Sequence, residues 1–286
     1  MHGGPPACSV PDGQGLGDEA GCVRLRDRAG GLRGGAPARA QELDLLSTRS
    51  ENPLSNLPSL TFGHIFSAHI GRFRRPQNIT NIQPNVPISI SDAYNVVVRA
   101  NVPLVDQPVG RADRVYALSD TTIQALFTRK NPGSFAWGFG PAVALPTGTD
   151  DSVGFGLPGA GVAFAVVKTE GRWLFGINAS HIWSIGEAHT GVNQVEYSLT
   201  TFQPFVNYAI GDGRAINFSS VMTANWLAGS GQQLRIPLSV LLKKTFIVQQ
   251  QPMSLGVGAT YVPVRPDNAA EWQLRAQYSL LFPPRN

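Results

Sequence analysis

From about residue 60 onward, apolar and polar side chains alternate along the chain with a period of two. Successive side chains of a β-strand point to opposite faces, so each alternating run predicts a strand. A half-buried strand of a soluble sandwich or lipocalin-like barrel shows this pattern, and so does a membrane-spanning strand whose apolar face lies in lipid. The C-terminal run is the clearest, and its apolar face consists of Trp272, Leu274, Ala276, Tyr278, Leu280 and Phe282.

The number and spacing of the runs favour the membrane-spanning alternative. We count about 12 strands, and single-chain bacterial outer-membrane barrels have an even number. Short connections near residues 91–92, 130–133, 169–171 and 211–213 alternate with long ones near residues 106–119, 147–160 and 185–195. The sequence therefore predicts an all-β fold, a transmembrane antiparallel up-and-down barrel over residues 60–286. Short turns would be periplasmic, and longer loops around Arg111, Asp150 and Glu187 would be extracellular.

The polar face of the predicted strands is rich in amides and arginines rather than in lysine and glutamate. Such groups suit a narrow wet lumen in which polar side chains bond to one another. Parity along the strands predicts the following lining of the lumen and solute path: Asn81, Gln83, Asn85, Asn95, Arg99, Asn101, Asp120, Gln124, Gln203, Asn207, Asn225, Arg235, Lys243, Glu271, Gln273, Arg275 and Gln277.

The apolar face carries aromatic residues close to the predicted strand ends, as two interfacial girdles would require. Bacterial outer-membrane barrels often close with a strand that ends in an aromatic residue, which the barrel assembly machinery reads. Tyr278 and Phe282 resemble that signal, although four residues follow Phe282. Pro84, Pro141 and Pro204 lie within strands on the same face, so bulges or bent strands are expected there because proline removes a ladder hydrogen bond.

Composition agrees with a membrane barrel. Only 15% of the 286 residues are charged, against about 25% in ordinary soluble domains, and no apolar run approaches the roughly 18 residues of a membrane helix. The net charge is +4, and no basic stripe with interleaved aromatics predicts nucleic-acid binding. Outer-membrane lipid and lipopolysaccharide are the expected surroundings.

Residues 1–40 differ from the rest of the chain in being rich in Gly, Pro, Ala and Arg without an apolar core. They predict a disordered or mis-annotated extension that ends in a signal-peptidase-like site, Ala38-Arg39-Ala40. Both cysteines, Cys8 and Cys22, lie there, so the remainder needs no disulfide. Residues 41–59 predict a short, partly helical periplasmic segment that could enter the lumen as a plug.

Several motifs resemble one known family in order and spacing: "NPLSNLPSLTF", "RPQNITNIQPNVPISI", "WGFGPAVALPTGTDD", "FQPFVNYAIGDG", "TANW" and "VRPDNAAEWQLRAQYSLLF". Over residues 41–282 the chain resembles bacterial outer-membrane transporters grouped as "meta-pathway of phenol degradation" proteins, some of which are misnamed neuromedin U. The resemblance implies a 12-strand barrel in the outer membrane of a Gram-negative bacterium. It implies transport but little chemistry.

The sequence predicts no enzyme, cofactor or metal site. Outer-membrane phospholipases carry a lipid-facing Ser–His pair, and His181 falls on the apolar face of its strand. Ser180 and Asn178 of that strand point inward, however, so an interfacial histidine is the favoured interpretation.

Three functions follow in order of preference. The first is a passive channel or transporter for small molecules, such as aromatic or hydrophobic compounds. The second is a closed, plugged barrel with an envelope-integrity role, and the third is a lipid hydrolase. Within the channel hypothesis, Arg99, Arg235 and Arg275 either attract anionic solutes or pair with Glu271 and Asp120 to brace the barrel.

Overall fold

In the part of the chain that the structure describes, one helix is followed by a large antiparallel sheet that closes on itself. The computed structural model describes residues 36–186 and 194–283. The elements are α1 (Ala36–Glu51), β1 (Ser59–Ile70), β2 (Arg75–Ser89), β3 (Tyr94–Pro108), β4 (Arg114–Leu118), β5 (Thr121–Arg129), β6 (Phe135–Leu145), β7 (Gly159–Glu170), β8 (Trp173–Ser184), β9 (Ser198–Gly211), β10 (Arg214–Ser219), β11 (Met222–Asn225), β12 (Leu234–Val248), β13 (Gln251–Val264) and β14 (Trp272–Leu281).

These segments form a closed barrel of 12 antiparallel strands, as the alternation predicts. β4 and β5 both pair with β3 and together make one barrel strand, and β10 and β11 together make another between β9 and β12. Each strand pairs with the next along the chain, and β1 pairs with β14 to close the ring. Closure removes exposed strand edges, which would otherwise leave backbone hydrogen-bonding groups unpaired.

The two ends of the barrel differ in their connections. Turns at residues 90–93, 130–134, 171–172, 212–213 and 249–250 form the short-turn end, where β1 begins and β14 ends. The opposite, long-loop end carries residues 146–158, 185–186, 194–197, 226–233 and 265–271. Part of the predicted loop at residues 106–119 is instead a hairpin, in which Asp106 of β3 opposes Tyr116 of β4. The predicted loop position Glu187 lies outside the described residues.

Burial alternates along the strands with the predicted parity. On β14, Trp272 and Leu274 are exposed on the outer face, whereas Gln273 between them is buried. On β13, Leu255 and Val257 are exposed and Ser254 is buried. The outer wall is thus covered with large apolar side chains, which is the surface that lipid requires. Exposed aromatic residues near the two ends of this wall include Phe135, Trp137, Trp173, Trp183, Trp226 and Trp272.

Bulges or bent strands were the two expectations from sequence at Pro84, Pro141 and Pro204, and the sheet does not bulge at any of these three. Backbone pairs are missing beside Pro84, Pro141 and Pro204, but the register on either side of each is unchanged. The loss of one backbone N–H donor therefore affects only the pairs next to each proline. Changes of register occur elsewhere. The pairing of β12 with β13 shifts between Ile236 and Leu238, which flank Pro237. Between β4 and β5, Leu104 opposes Leu118 whereas Asn101 opposes Thr122.

The helix begins at Ala36, before the boundary expected between residues 40 and 41. Among the described residues, no helix combines the length and apolar character needed to cross a membrane.

Candidate channel lumen

One side of the inner face, formed by β1, β2, β3 and β14, is lined by amides. Gln83 donates to Asn101 Oδ1 across the β2–β3 pair, with a nitrogen–oxygen distance of 3.0 Å. Asn81, three residues after Asn78 on β2, lies opposite Pro103. Gln277 donates to Ser279 Oγ of its own strand at 3.3 Å. The predicted amides thus share one surface, as parity requires.

This surface also borders open space. Gly63 of β1 lies between Asn81 of β2 and Gln277 of β14 in the sheet register. A Cβ atom added at Gly63 would meet no other atom within 4 Å. Gln83, on the same face of β2, is exposed. The barrel interior is therefore not filled next to these residues.

Three arginines extend the polar surface. Arg99 lies opposite Asn85 and Gln124 in the register. Arg235 donates to Gln273 Oε1 at 3.0 Å, and Gln273 in turn donates to Ser67 Oγ at 2.9 Å. The negative charge of Glu51 attracts both Arg99 and Arg275. The acid that acts on Arg99 and Arg275 thus comes from the segment before the barrel, a role that sequence reasoning missed.

Glu51 also forms the most buried ion pair of the described residues. Its Oε1 pairs with Lys243 Nζ of β12, and its Oε2 accepts a 2.9 Å hydrogen bond from Asn217 of β10. The side chains of Lys243 and Glu51 are only 1% and 13% exposed. Lys243 therefore lies on the inner face of the barrel, where it binds the N-terminal segment.

Residues 36–58 cross the short-turn end of the barrel from one wall to the other. On one side, the Gly213 amide donates to Asp44 Oδ1 at 2.6 Å. On the other side, Asn56 donates to the Lys130 carbonyl and accepts from Asn95 Nδ2, both at 2.5 Å. Asn85 Nδ2 donates to the Leu57 carbonyl at 3.2 Å. The predicted lumen residues Asn85 and Asn95 thus bind this segment.

The opposite side of the interior, along β5 to β9, is apolar and filled. Leu54 packs there against small side chains, and Gly138 leaves the space that Leu54 occupies. Near the long-loop end, Tyr197 stacks on Phe155 with ring centroids 4.6 Å apart. The buried cluster comprises Leu54, Leu126, Ala136, Ala142, Ala144, Leu157, Ala163, Ala165, Val167, Leu174, Ile182, Tyr197 and Phe205. The alternating small residues of β6 and β7 were the sequence signal for this packed wall.

The two predicted acids do not lie among the arginines. Asp120 accepts the amides of Gly148 at 3.0 Å and Phe155 at 2.6 Å, so it orders the loop at residues 146–158. Glu271 pairs with Arg265 at 3.1 Å in the loop at residues 265–271. Both acids lie at the long-loop end, and each has another partner. Glu271 and Asp120 therefore do not pair with the arginines to brace the barrel, contrary to that alternative.

The remaining predicted residues are distributed around the wall. Gln203 lies opposite Asn178 on the β8–β9 pair, and Asn207 is fully buried on β9. Asn225 Oδ1 accepts from the amides of Ser198 and Leu227, at 3.2 and 3.3 Å, at the long-loop end. These three residues belong to the wall rather than to the surface beside Gly63. Within the described chain, no group of three or more metal-ligating side chains is present.

Comparisons with known proteins identify the fold. No family model and no curated protein matches the chain. The structure is similar to the COG4313 outer membrane channel from Pseudomonas putida F1, with a TM-score of 0.56 and 14% identity over 79% of this chain and 94% of that one. It is also similar to the NanC porin, with a TM-score of 0.50 and 9% identity over 79% of this chain and 100% of the porin.

A weaker similarity links the chain to outer membrane phospholipase A from Escherichia coli, with a TM-score of 0.44 and 9% identity over 80% and 97% of the two chains. A likeness at this level supports no shared activity. Together with the closed barrel and its apolar outer wall, the first two similarities show that this chain has the fold of an outer-membrane β-barrel.

Proposed function

We propose that this protein is an outer-membrane channel for passive movement of small solutes. The observation that carries the proposal is the amide-lined open space beside Gly63, bounded by Asn81 and Gln277. Buried amides without partners are costly, so a polar inner surface next to unfilled space supports a path that water and solutes share. A barrel sealed for structural purposes would gain stability from an apolar filled interior on all sides.

The chemistry of the path favours solutes that combine an anionic group with a compact apolar body. Arg99, Arg235 and Arg275 supply positive charge on one side. Ile65 of β1 and Ile79 of β2 are half-buried, and Ile65 lies between Ile79 and Arg275 in the sheet register, so they contribute apolar surface beside the arginines. Aromatic and hydrophobic carboxylates fit these two surfaces together, which agrees with the resemblance to phenol-degradation transporters. A passive channel does not change its solute chemically, so we propose that the lumen transports solutes without catalysing a reaction.

The segment at residues 36–58 acts as a plug in this proposal. It is tied to the walls by Glu51–Lys243, by Asp44 and by Asn56. These contacts also favour the second candidate, a permanently closed barrel with an envelope-integrity role. The difference between the two is whether the path beside Gly63 continues past the segment.

The surroundings follow from the same proposal. The short-turn end faces the periplasm and the long-loop end faces the outside of a Gram-negative cell. Lipid and lipopolysaccharide contact the outer wall, and the assembly machinery reads β14 with Tyr278 and Phe282. Phe282 is 44% exposed on the outer wall, where such a reader could contact it.

Planar-bilayer recording of the purified protein tests the proposal. We expect discrete conductance steps from the wild type and a conductance reduced several-fold in Gly63→Trp, because the indole would fill the open space beside Asn81. Leu274→Trp is the matched control, since Leu274 is 62% exposed on the outer face of the neighbouring wall strand and a larger side chain there leaves the lumen unchanged.

Steps of equal size in Gly63→Trp would show that current does not pass this surface. Silence in the wild type, with steps appearing in Glu51→Gln, would favour a plug held by Lys243. Silence in both would favour the closed barrel.

A further inference from the structure

The outer wall carries a polar cluster at its long-loop end that the channel function does not use. His181 of β8 lies on the outer face, between the inward-facing Ser180 and Ile182. The sequence offers no suitable serine on the same strand. The register of the neighbouring strand supplies hydroxyls instead, because Thr200 of β9 lies directly opposite His181 and Ser198 lies two residues away on the same face.

The hydroxyls occupy both ring nitrogens of the imidazole. Ser198 Oγ is 3.2 Å from His181 Nε2, and Thr200 Oγ1 is 2.7 Å from Nδ1. Trp226 Nε1 donates to the same Thr200 oxygen at 2.8 Å. A hydroxyl oxygen has two lone pairs, so Thr200 accepts from Trp226 and from a protonated Nδ1 together. In that tautomer Nε2 is the acceptor that faces the Ser198 hydroxyl.

We propose that Ser198 is a nucleophile, that His181 is its general base, and that the cluster catalyses acyl transfer from ester-linked lipids of the outer leaflet. A nucleophile within hydrogen-bond reach of a base, with a third group that orients the base, is the arrangement that activates serine. Thr200 is the positioning residue, and Trp226 fixes its oxygen. The lumen takes no part, so this inference stands independently of the proposed channel.

The reaction balances without a metal or cofactor. Ser198 Oγ bonds to the ester carbonyl carbon while its proton passes to His181 Nε2. The bond between the carbonyl carbon and the lipid alcohol oxygen then breaks, and that oxygen takes the proton from Nε2. Water repeats the sequence on the acyl-serine, which releases a fatty acid and restores the Ser198 hydroxyl.

The depth of the cluster selects the substrate class. Exposed Trp183 and Trp226 flank it, and the His181 and Trp183 rings lie 4.2 Å apart. Tryptophan is enriched at the boundary between headgroups and acyl chains, which is also where the ester carbonyls of lipids lie. An ester in the outer leaflet therefore meets Ser198 at the wall, without leaving the membrane.

The reaction is expected to be slow. A carboxylate behind the imidazole stabilises the imidazolium that forms when the base takes a proton, whereas Thr200 is a neutral hydroxyl. Covalent capture of Ser198 is therefore a more sensitive measurement than turnover.

The wall also provides a matched control cluster. His64 of β1 pairs with Thr80 of β2 through Nδ1 at 3.0 Å, also on the outer face. In the described part of the chain, no serine hydroxyl is hydrogen-bonded to the other nitrogen of His64. It reproduces the base and its positioning group without the nucleophile.

The experiment reacts the folded protein in phosphatidylethanolamine vesicles with a fluorophosphonate probe and locates the adduct by peptide mass spectrometry. We expect a single adduct on Ser198, formed about 100-fold more slowly in His181→Gln, which is the lower range for loss of a general base, and at the wild-type rate in His64→Gln. Thr200→Val should slow labelling and Thr200→Ser should restore it. Heat-modifiable gel mobility confirms that each variant is folded.

Fatty-acid release from vesicles with a labelled acyl chain is measured in parallel, and Ser198→Ala should abolish it while leaving conductance unchanged. The inference is overturned if the folded wild type forms no adduct on Ser198, if His181→Gln is labelled at the wild-type rate, or if labelling occurs without release of the acyl chain.

Discussion

At the scale of single residues, the stability of the barrel interior depends most on the negative charge of Glu51, which belongs to the N-terminal segment and not to a strand. Lys243 is buried on β12, and Glu51 of the N-terminal segment is its ion-pair partner. Breaking a buried pair leaves an uncompensated charge, which costs more than the pair contributes. The same carboxylate attracts Arg99 and Arg275, so Glu51 holds the segment and the positive wall together.

We predict that Glu51→Gln lowers the free energy of unfolding by about 3 kcal/mol, measured by urea titration in detergent micelles. Glu170→Gln is the control, because Glu170 pairs with Lys168 at 2.7 Å at the surface, with both side chains more than half exposed. Exposed pairs contribute less than about 1 kcal/mol. Equal losses in the two variants would contradict a structural role for the buried pair.

A second residue-scale prediction concerns Tyr197 at the long-loop end. Burial raises the pKa of Tyr197 to about 12, and the negative charge of Asp120 adds to the effect. Because the folded pKa is higher than the unfolded value of about 10, the folded state retains its proton between these values. Stability is therefore complete below pH 10 and falls as the pH rises toward 12.

Urea titrations at pH 9 and pH 11 should show this loss in the wild type and a smaller one in Tyr197→Phe, which has no phenol to ionise. Tyr116 is a useful second control because it is 76% exposed. If Tyr116→Phe removes the pH dependence and Tyr197→Phe does not, the assignment to Tyr197 is wrong.

The sequence indicated which residues face inward but not which of them meet. Alternation predicted the shared face of Gln83, Asn101 and Gln277, since parity is a local property of a strand. The partnership of Glu51 with Lys243 depends on how a helix docks across the barrel, and that of Ser198 with His181 depends on the register between two strands. Neither relationship is encoded within a single alternating run.

At the scale of elements, the strands of the packed wall approach too closely for larger side chains. A Cβ atom at Gly140 of β6 would lie 1.9 Å from the Ala125 carbonyl oxygen of β5. That oxygen belongs to the backbone and cannot move without separating the two strands. Pro141 already removes a ladder hydrogen bond at this point, so the pairing of β5 with β6 tolerates little further disturbance there.

We predict that Gly140→Ala destabilises the barrel by about 3 kcal/mol, near the upper end of the usual cost of overpacking. Gly63→Ala is the matched control, because a Cβ atom there meets nothing within 4 Å, and it should change stability by less than about 0.5 kcal/mol. Equilibrium urea unfolding of both variants checks the difference. A Gly140→Ala barrel as stable as Gly63→Ala would show that β5 and β6 separate without cost.

Strand existence and parity were predictable, whereas strand continuity was not. Proline was expected to cause bulges or bent strands, yet the register passes Pro84, Pro141 and Pro204 unchanged. At Pro237 of β12, which is also paired on both sides, the register does shift. Pairing on both sides therefore does not by itself decide where a proline disturbs the register. The register change between β4 and β5 follows no sequence signal that we identify.

At the scale of the whole molecule, the barrel has two unlike halves inside an outer wall that is apolar apart from the clusters at His181 and His64. An apolar outer wall is what a lipid surrounding requires, and this is why the sequence pattern predicted the fold so directly. The interior has no such uniform neighbour. One half is filled by small and aromatic side chains, and the other keeps amides and arginines beside open space.

The arrangement of charge in the open half gives the last prediction. Arg99 and Arg275 lie on β3 and β14 of that half and Arg235 on β12, and Glu51 is the acid that attracts Arg99 and Arg275, since Asp120 and Glu271 are bound to other partners. Positive charge therefore exceeds negative charge along the path, and low-dielectric walls focus the field of such groups on a passing ion. We predict weak anion selectivity in bilayers under a salt gradient. Arg99→Gln with Arg275→Gln should shift the reversal potential toward cations, and Glu51→Gln should shift it further toward anions. Arg129→Gln is the control, because Arg129 ends β5 at the short-turn end and is exposed. Cation selectivity in the wild type would overturn the prediction, and unchanged selectivity in the double variant with a lower melting temperature would assign the arginines to the support of the N-terminal segment instead.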